Sequence, residues 1–303
     1  MKILKLSDIY TSSDLKKLQE SEDYVLLPFF KEGKALDSSA RWGMTLKRAG
    51  SMRFRWTEEN PRRESLLKKI AGAKAEAETR AKSDVQVEAS SGKTPPLQRK
   101  ISQVQLDNTK IVLYAENEKS TFNQIADGIV TQKKELLPVV TIADCMALFF
   151  YDPITKGAGI VHSGWKGTGI AAEAIQMMKE KFGSREKDIL IAMSPCIHQC
   201  CYIITEDRAR YFSENFGSDC VEELEEKSPE EMKIIRSWKG LEGKLFRLSL
   251  PKANYNLLIN TGIPEENICL FDECTCCNPA FGSNRRETAE GKSFTVQAAF
   301  IRL

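Results

Sequence analysis

The chain has 303 residues, of which 42% are hydrophobic and 28% are charged. Its 44 lysines and arginines nearly balance its 42 aspartates and glutamates, so the formal net charge is only +2. This balance argues against a nucleic-acid-binding protein, which usually carries a basic surface. The sequence has no apolar run long enough for a membrane span. The length allows one large domain or two small ones, and we predict a single domain over residues 1–303.

The first third of the chain predicts short strands, then a helix and a charged segment. Residues 1–57 mix short apolar runs with polar turns, which favours strands and loops. An Asn-Pro pair at residues 60–61 and apolar residues at helical spacing predict a helix from Glu58 to about Ala81. Residues 73–98 are charged, small and poor in apolar groups, so we predict an exposed loop or insertion there, part of which extends the helix.

The central third predicts a β-hairpin that carries reactive side chains. Residues 136–152 form one long apolar run, which predicts a buried strand, and the DPITKG sequence that follows is a turn signal. If this turn closes a hairpin with Tyr151 opposite Ala158, then Cys145 lies diagonally across from His162 on the same face. Their backbones would be about 7–8 Å apart, which lets both side chains reach one atom.

The remaining pattern predicts helices that alternate with strands. Residues 170–184 form an amphipathic helix that ends at Gly183, and residues 228–243 form a charged excursion. Strands and helices interleave with at least one hairpin, so we predict an α/β fold with mixed β-sheets flanked by helices. Further strands are predicted at 101–107, 110–116, 188–194, 268–273 and 293–303, and further helices at 206–218 and 250–263.

Cys145 and His162 are the strongest candidates for a functional pair. A thiolate and an imidazole suit zinc or copper, and they also suit a nucleophile with its base. The alternative is a buried structural cysteine beside a hydrogen-bonded histidine. Spacing alone does not separate these interpretations.

The glycine-rich segment at residues 164–169 lies between a strand and a helix. Free backbone N–H groups and the helix dipole favour an anion there, and Lys166 would add charge toward a phosphate. The segment lacks the spacing of a P-loop or a dinucleotide-binding fingerprint. A tight turn that requires Gly164 and Gly167 is the simpler interpretation.

Two cysteine-rich loops raise the question of a second metal site. The first, SPCIHQCCYI at 194–203, lacks the paired C-x-x-C spacing of structural zinc sites. The second, CTCC at 274–277, contains one C-x-x-C whose matching half is not obvious. The first loop would supply that half only if the two loops meet. The sequence therefore disfavours a structural zinc here.

The cysteine content also indicates the cellular compartment in which the protein functions. The chain has nine of them, and neighbours such as Cys200 and Cys201 suit a reducing environment better than a disulfide framework. The N-terminal segment is too short and too polar for a secretory signal peptide. We therefore expect a cytoplasmic protein.

Several of these motifs occur together and in order in one known family. ADGIVT, TIADC, VHSGWKGTGIAAEAI, SPCIHQCCY, DECT and SNRRE resemble the laccase-domain family, whose members are described as polyphenol oxidases or purine nucleoside phosphorylases. The resemblance runs from about Ser39 to Leu303. It implies a single α/β domain, a metal usually read as zinc, and phosphorolysis of nucleosides such as adenosine and inosine, with adenosine deamination also associated.

The resemblance implies specific site residues. Cys145 and His162 would be metal ligands and catalytic residues, and Gln105 stands where the family has its second histidine. Glutamine is a poor zinc ligand, so metal affinity should fall. Ile203 replaces an acidic residue of the family. The residues implied to bind substrate or phosphate are Arg41, Asn60, Gly164, Lys166, Gly167, Arg285 and Arg286.

Four functions remain open at this point. The first is a purine nucleoside phosphorylase that binds a nucleoside and phosphate and whose activity is weakened by the loss of one ligand histidine. The second is a nucleoside-binding pseudoenzyme, and the third is a Cys/His hydrolase with Cys145 as the nucleophile. The fourth, a polyphenol oxidase, is disfavoured together with copper. Only two histidines occur in the whole chain, too few for several histidine-rich copper centres.

Overall fold

A computed structural model of the chain describes residues 1–10, 21–72, 97–225, 235 and 241–303. The predicted insertion at 73–98 and the charged excursion at 228–243 lie largely outside these described residues. The strands, in chain order, are β1 (Lys2–Leu4), β2 (Tyr24–Pro28), β3 (Phe30–Lys31), β4 (Lys34–Ala35), β5 (Arg41–Thr45), β6 (Lys100–Gln103), β7 (Val112–Tyr114), β8 (Gly128–Thr131), β9 (Leu136–Ile142), β10 (Met146–Tyr151), β11 (Ala158–Ser163), β12 (Leu190–Met193), β13 (Ile203–Thr205), β14 (Val221–Glu223), β15 (Leu245–Leu248), β16 (Ile268–Phe271) and β17 (Gln297–Arg302).

The α-helices are α1 (Leu6–Ile9), α2 (Pro61–Gly72), α3 (Ile170–Phe182), α4 (Glu206–Phe216), α5 (Leu250–Asn260) and α6 (Asn284–Ala289). Short 3-10 helices occur at Lys47–Ala49, Glu118–Thr121, Glu186–Asp188, Ser218–Cys220 and Glu265–Asn267. No helix among the described ranges combines the length and hydropathy that crossing a membrane requires.

Two large mixed sheets dominate the fold. The seven-stranded sheet has the order β1-β16-β12-β10-β11-β8-β7, and the five-stranded sheet has the order β2-β5-β17-β9-β6. In the seven-stranded sheet β1, β16 and β12 run parallel, while β10 and β11 are antiparallel. In the five-stranded sheet β6 and β9 run parallel, while β9 and β17 are antiparallel. A three-stranded sheet, β13-β15-β14, and the β3-β4 ribbon complete the described strands.

The sheets and helices form successive layers around continuous apolar cores. One core contains residues of both large sheets, including Trp42, Phe149 and Phe271, whose rings contact each other with centroids 4.7 Å apart. The opposite face of the seven-stranded sheet packs against α3, α4 and α5. The opposite face of the five-stranded sheet packs against α2. The predicted α/β class, with mixed sheets flanked by helices, is confirmed.

The predicted hairpin is confirmed in its register. Tyr151 pairs with Ala158 and Ala147 pairs with His162 in the antiparallel β10-β11 pair. Side chains alternate between the two faces of a strand, and Ala147, Phe149 and Ile160 all belong to the core between the large sheets. His162 therefore lies on the same face, at the end of this core.

The single strand predicted over residues 136–152 is wrong. The run divides into β9 and β10, which belong to different sheets. The division falls at Asp144, whose φ of 71° lies in the left-handed region, where aspartate is one of the tolerated non-glycine residues. Apolar periodicity did not reveal the break, because both strands are almost fully buried.

The predicted helices are present, but some begin or end at residues other than those predicted. The helix predicted from Glu58 begins at Pro61, and it is described as far as Gly72. Helix α3 ends at Gly183, whose φ of 70° caps the helix in the left-handed conformation. The helices predicted near residues 206–218 and 250–263 are α4 and α5.

Candidate functional site

The candidate site lies where β9 passes into β10. Asp144 and Cys145 occupy the connection, and the hairpin register places Cys145 opposite Gly164, because Met146 pairs with Ser163. An added Cβ atom at Gly164 would lie 2.6 Å from the Cys145 sulfur and 3.4 Å from His162 Nε2. The thiol and the imidazole therefore border one small space, and a glycine at 164 leaves that space open.

Both groups of this pair are neutral near pH 7. Burial, and secondarily the nearby Asp144 carboxylate, raises the pKa of the Cys145 thiol to about 12. Burial also lowers the pKa of His162 below its usual 6.5, against a smaller raising effect of Asp127. His162 Nδ1 is buried and has no hydrogen-bond partner among the described residues. A neutral thiol and a neutral imidazole can exchange protons with a bound molecule.

A buried carboxylate beside the pair fixes the local backbone. Asp144 accepts hydrogen bonds from the Thr275 hydroxyl at 2.7 Å and from the Arg285 backbone N–H at 2.7 Å. The Ser283 side chain is a further hydrogen-bond partner, and burial nevertheless raises the pKa of Asp144. The Asp144 carbonyl accepts from Ile197 N–H at 2.8 Å. Asp144 thus connects the β9-β10 break to three other loops.

Asp127 organises the other side of the pair. Its carboxylate accepts hydrogen bonds from the backbone N–H groups of Asp107, Asn108 and Lys110, and its carbonyl accepts from His162 N–H at 2.8 Å. Asp127 therefore fixes the loop after Gln105 and the end of β11. Asp127 lies in the ADGIVT motif, but its role in positioning His162 was not predicted from the sequence.

The glycine-rich segment forms a tight turn directly after β11, in agreement with the simpler of the two sequence interpretations. Gly167 packs so closely that an added Cβ would lie 2.9 Å from the His162 carbonyl oxygen. The Thr168 hydroxyl and backbone N–H both donate to the Gly164 carbonyl at 2.7 Å. Lys166 is exposed. Helix α3 begins directly after this turn, with Gly169 as its N-cap, and phosphate binding at this N-terminus stays a prediction.

Aromatic side chains near the turn were missed by the sequence analysis. Burial raises the pKa of the Tyr202 hydroxyl, and the nearby Arg208 and Arg285 guanidinium groups act against this rise. Trp165 stacks under the Arg208 guanidinium at 4.5 Å and contacts the Tyr211 ring. The two rings meet edge to face beside the turn, and only the fold brings α4 to it.

Gln105 forms an isolated parallel bridge with Ile125, two residues before Asp127. Its backbone N–H donates to the Gln124 carbonyl, and its carbonyl accepts from Ala126 N–H, both at 3.1 Å. Its side-chain oxygen, the only side-chain atom of glutamine that could ligate zinc, accepts a hydrogen bond from the Trp56 backbone N–H at 3.2 Å. This contact fixes the position of the glutamine side chain, and it leaves one lone pair of the amide oxygen uncommitted.

Arg41 and Asn60 have structural partners away from Cys145. Arg41 pairs with Arg302 at one end of β17, whereas Ile142 pairs with Gln297 at the other end, about 17 Å along the strand. The Arg41 guanidinium donates to the Ser38 and Ala40 carbonyls. Asn60 caps α2, because its side-chain oxygen accepts from Arg63 N–H at 3.1 Å. Substrate binding by these two residues stays a prediction.

Arg285 and Arg286, the adjacent arginines predicted to bind substrate or phosphate, have different surroundings. Arg286 donates to the backbone carbonyls of Thr275, Cys276, Asn278 and Phe281, so it holds the second cysteine loop together. The Arg285 guanidinium donates to the Ile203 carbonyl at 3.2 Å and is electrostatically coupled to Tyr202 and Asp144. Arg285 is therefore the better placed of the two for an anionic substrate.

The two cysteine-rich loops meet, which the sequence left undecided. Strands β12 and β16 are parallel neighbours, so the loops that follow them leave the same edge of the sheet. Cys196 and Cys274 form a β-bridge between the loops. The sulfurs of four cysteines all lie within 4.8 Å of one another; they belong to Cys200, Cys201, Cys274 and Cys277.

The Cys145 site does not fit a catalytic metal by its donor set. Catalytic zinc sites use three protein ligands, chiefly histidine, cysteine and carboxylate. Cys145 and His162 supply two, and the third position is the Gln105 amide, whose oxygen is engaged by Trp56. The described residues thus fall one good ligand short. We derive no reaction step through a metal at this site.

Comparison with known proteins identifies the family. The family model described as multi-copper polyphenol oxidoreductase laccase matches residues 79–301. This match spans most of the chain, so the chain belongs to that family. The solved structure of the Bacillus licheniformis hypothetical protein YfiH superposes with a TM-score of 0.65 at 24% identity and covers 88% of this chain and 93% of that one. At this identity the superposition shows the fold alone.

Relatives within the family are named as purine nucleoside phosphorylases. The chain is 32% identical over 179 residues to purine nucleoside phosphorylase YlmD of Bacillus subtilis, a match that covers 58% of each protein. It is 30% identical over 184 residues to purine nucleoside phosphorylase LACC1 of Mus musculus, covering 58% of this chain and 38% of that protein. The chain therefore matches well under two thirds of the length of these two relatives.

Substitution of Gly164 tests whether the pair forms the site. In Gly164→Ala the new methyl group would push the Cys145 sulfur aside, because the two atoms would otherwise be 2.6 Å apart. A displacement of about 1 Å at reacting groups can cost about 100-fold in rate. We expect a large loss of nucleoside turnover in the folded variant, together with a loss of stability of about 1–3 kcal/mol from overpacking. Gly72→Ala is the matched control, since a Cβ there meets nothing within 4 Å. Equal turnover in the two variants would contradict the assignment.

Proposed function

We propose that the protein is a purine nucleoside phosphorylase that cleaves adenosine or inosine with phosphate. In this reaction the bond between ribose C1′ and the base nitrogen breaks, and a phosphate oxygen forms the new bond to C1′. The leaving base takes up a proton. The products are ribose-1-phosphate and the free purine. The names of the relatives YlmD and LACC1 support this class of reaction.

The convergence of the Cys145 sulfur and His162 Nε2 at Gly164 carries the proposal. The raised pKa of Cys145 and the lowered pKa of His162 leave a thiol that can donate a hydrogen bond and an imidazole that can accept or relay a proton. We assign to this pair the contact with the leaving purine. The N-terminus of α3 and Arg285 are the proposed phosphate contacts, because both provide positive potential beside the pair.

The direct test is incubation of untagged protein with inosine or adenosine and inorganic phosphate. Ribose-1-phosphate and free base should form together in equal amounts, and omission of phosphate should stop both. Release of inosine from adenosine without base would instead indicate deamination, the second activity that the family resemblance implies. Absence of both products, with and without added zinc, would reject the proposal.

The Cys/His hydrolase is disfavoured by the state of the thiol. Nucleophilic cysteines have a lowered pKa, which provides the reactive thiolate at neutral pH. The pKa of Cys145 is raised to about 12 instead. Thiol reagents should therefore label Cys145 slowly at pH 7, far below the rate of an activated catalytic thiolate. If Cys145 were labelled rapidly and the labelling abolished activity, the result would support the hydrolase hypothesis instead.

The second candidate function is nucleoside binding with weak turnover or none. The side chain at position 105 favours it, since a neutral amide is a poor replacement for the ligand histidine that the family resemblance implies. Gln105→His should add an imidazole there and lose one hydrogen bond, a stability cost of about 1 kcal/mol.

We expect Gln105→His to bind additional zinc and to turn nucleosides over faster, by about tenfold or more, in the range that changes around metal ligands produce. Elemental analysis and initial rates measure both effects. Gln124→His, at an exposed position on the neighbouring loop, is the matched control. If Gln105→His gains neither metal nor rate, position 105 does not limit the enzyme.

A further inference from the structure

Four cysteines outside the Cys145 site form a compact group. The Cys200 sulfur lies 3.7 Å from the sulfurs of Cys201, Cys274 and Cys277, and the Cys201 and Cys277 sulfurs are 3.4 Å apart. All four sulfurs lie within 4.8 Å of one another. Zn–S bonds of about 2.3 Å in a tetrahedron place the sulfurs about 3.8 Å apart. The observed spacing thus matches a four-thiolate zinc site.

The spacing does not match disulfide bonds. A disulfide requires sulfurs about 2.05 Å apart, and all four residues are free cysteines. One sulfur also has three sulfur neighbours at similar distances, whereas a disulfide would bring one of them much closer. The arrangement is that of ligands around a common centre.

The backbone holds the four sulfurs in place independently of any ion. Cys196 N–H donates to the Glu273 carbonyl at 3.3 Å, and Thr275 N–H donates to the Cys196 carbonyl at 2.9 Å, so the two loops are joined on both sides of Cys274. His198 N–H donates to the Cys274 sulfur at 3.4 Å. Such N–H groups are the outer contacts that orient thiolate ligands.

The surroundings carry positive charge that suits a thiolate site. Four thiolates around a divalent ion leave a net charge of −2. Arg247 donates to the carbonyls of Gln199 and Cys200 at 3.4 Å, directly behind the first pair of cysteines. Arg286 donates to the carbonyls of Thr275 and Cys276 at 2.8 Å, behind the second pair. One guanidinium thus supports each loop.

We infer that Cys200, Cys201, Cys274 and Cys277 bind one structural zinc ion. Four thiolates close the coordination sphere, which is the pattern of structural rather than catalytic zinc. The ion would join the loop after β12 to the loop after β16. Since the second loop carries Thr275, which donates to Asp144, the zinc would also stabilise the backbone that presents Cys145.

Metal content of the full chain tests this inference. Protein purified without an affinity tag under reducing conditions should contain about one zinc ion per chain. Cys201→Ser and Cys277→Ser should lose it. Cys145→Ala, which removes the other candidate ligand, should keep it, as should the matched control Cys220→Ala, a buried cysteine of another loop.

A second measurement does not depend on how well the variants fold. Zinc is removed from the native protein with a chelator under reducing conditions, and cobalt(II) is added back. One equivalent should produce the intense thiolate-to-cobalt absorption of a four-sulfur tetrahedral site and restore the thermal midpoint lowered by the chelator. Zinc should then displace the cobalt.

Four outcomes would overturn the inference. The first is native, reduced protein that holds no zinc and whose thiol-rich group binds no cobalt. The second is zinc that Cys145→Ala removes and Cys277→Ser retains. The third is a Cys201–Cys277 disulfide in protein kept reduced, and the fourth is iron or copper in place of zinc in the four-cysteine group.

Discussion

His162→Ala and Cys145→Ala are each expected to lower the phosphorolysis of inosine by about 100-fold or more, the usual contribution of a positioned proton-transfer group. Both side chains border the space beside Gly164, so removal of either leaves the purine without its proposed partner. Steady-state rates of base release, at saturating phosphate, measure the effect. Because the interaction involves one pair, the double variant should lose little beyond the single variants.

Cys269→Ala is the matched control for this prediction. Cys269 is also buried in the seven-stranded sheet, but it lies on β16 in the core between the sheets. Its variant should be somewhat less stable and should keep its turnover number. If Cys145→Ala and His162→Ala fold and turn over at the native rate, the pair has no catalytic role.

The pH dependence provides an independent check of the same pair. Burial lowers the pKa of His162 below 6.5, so its imidazole stays neutral as the pH falls through that value. If turnover requires neutral His162, it should decline only when the pH falls well below 6.5. An exposed histidine in the same role would produce the decline near pH 6.5. A decline centred above pH 6.5 would contradict the neutral form.

Asp144→Ala is expected to lower the free energy of unfolding by about 3 kcal/mol or more. The substitution leaves the Thr275 hydroxyl and the Arg285 N–H without the buried carboxylate that accepts their hydrogen bonds, and each buried unsatisfied donor costs about 1–3 kcal/mol. The left-handed φ of 71° adds strain, since alanine tolerates it less well than aspartate. Urea unfolding followed by fluorescence measures the loss.

Asp144→Asn separates the two effects, because asparagine tolerates the left-handed conformation and keeps one acceptor oxygen. It should retain a large part of the stability that Asp144→Ala loses. Asp107→Ala, at an exposed aspartate, serves as the control and should change the stability by less than about 0.5 kcal/mol. A similarly small effect for Asp144→Ala would show that this carboxylate does not hold the loops together.

The hairpin and the amphipathic helices could be predicted from the sequence. The turn at DPITKG, with apolar residues on both sides, fixed the register of Tyr151 with Ala158. Gly183 similarly marked the end of α3. These signals are local: a turn and a helix cap depend on backbone conformations that a few neighbouring residues determine.

The break between β9 and β10 at Asp144 could not be predicted from the local sequence pattern. Residues 136–152 are apolar on both faces because β9 and β10 are each covered on both sides. Without alternation, the pattern did not show where one strand ends and the next begins. The structure places the break beside Cys145, so the feature that the sequence missed is also the one that creates the site.

The sequence by itself determined the residue types, the hairpin register and the α/β class, because turn residues, helix caps and apolar periodicity act over short distances along the chain. The tertiary structure alone decided that the loops carrying Cys200 and Cys274 meet, that Arg286 serves the backbone, and that the Gln105 oxygen accepts a hydrogen bond from Trp56. These contacts join residues far apart in the chain, and strand order rather than local pattern brings them together.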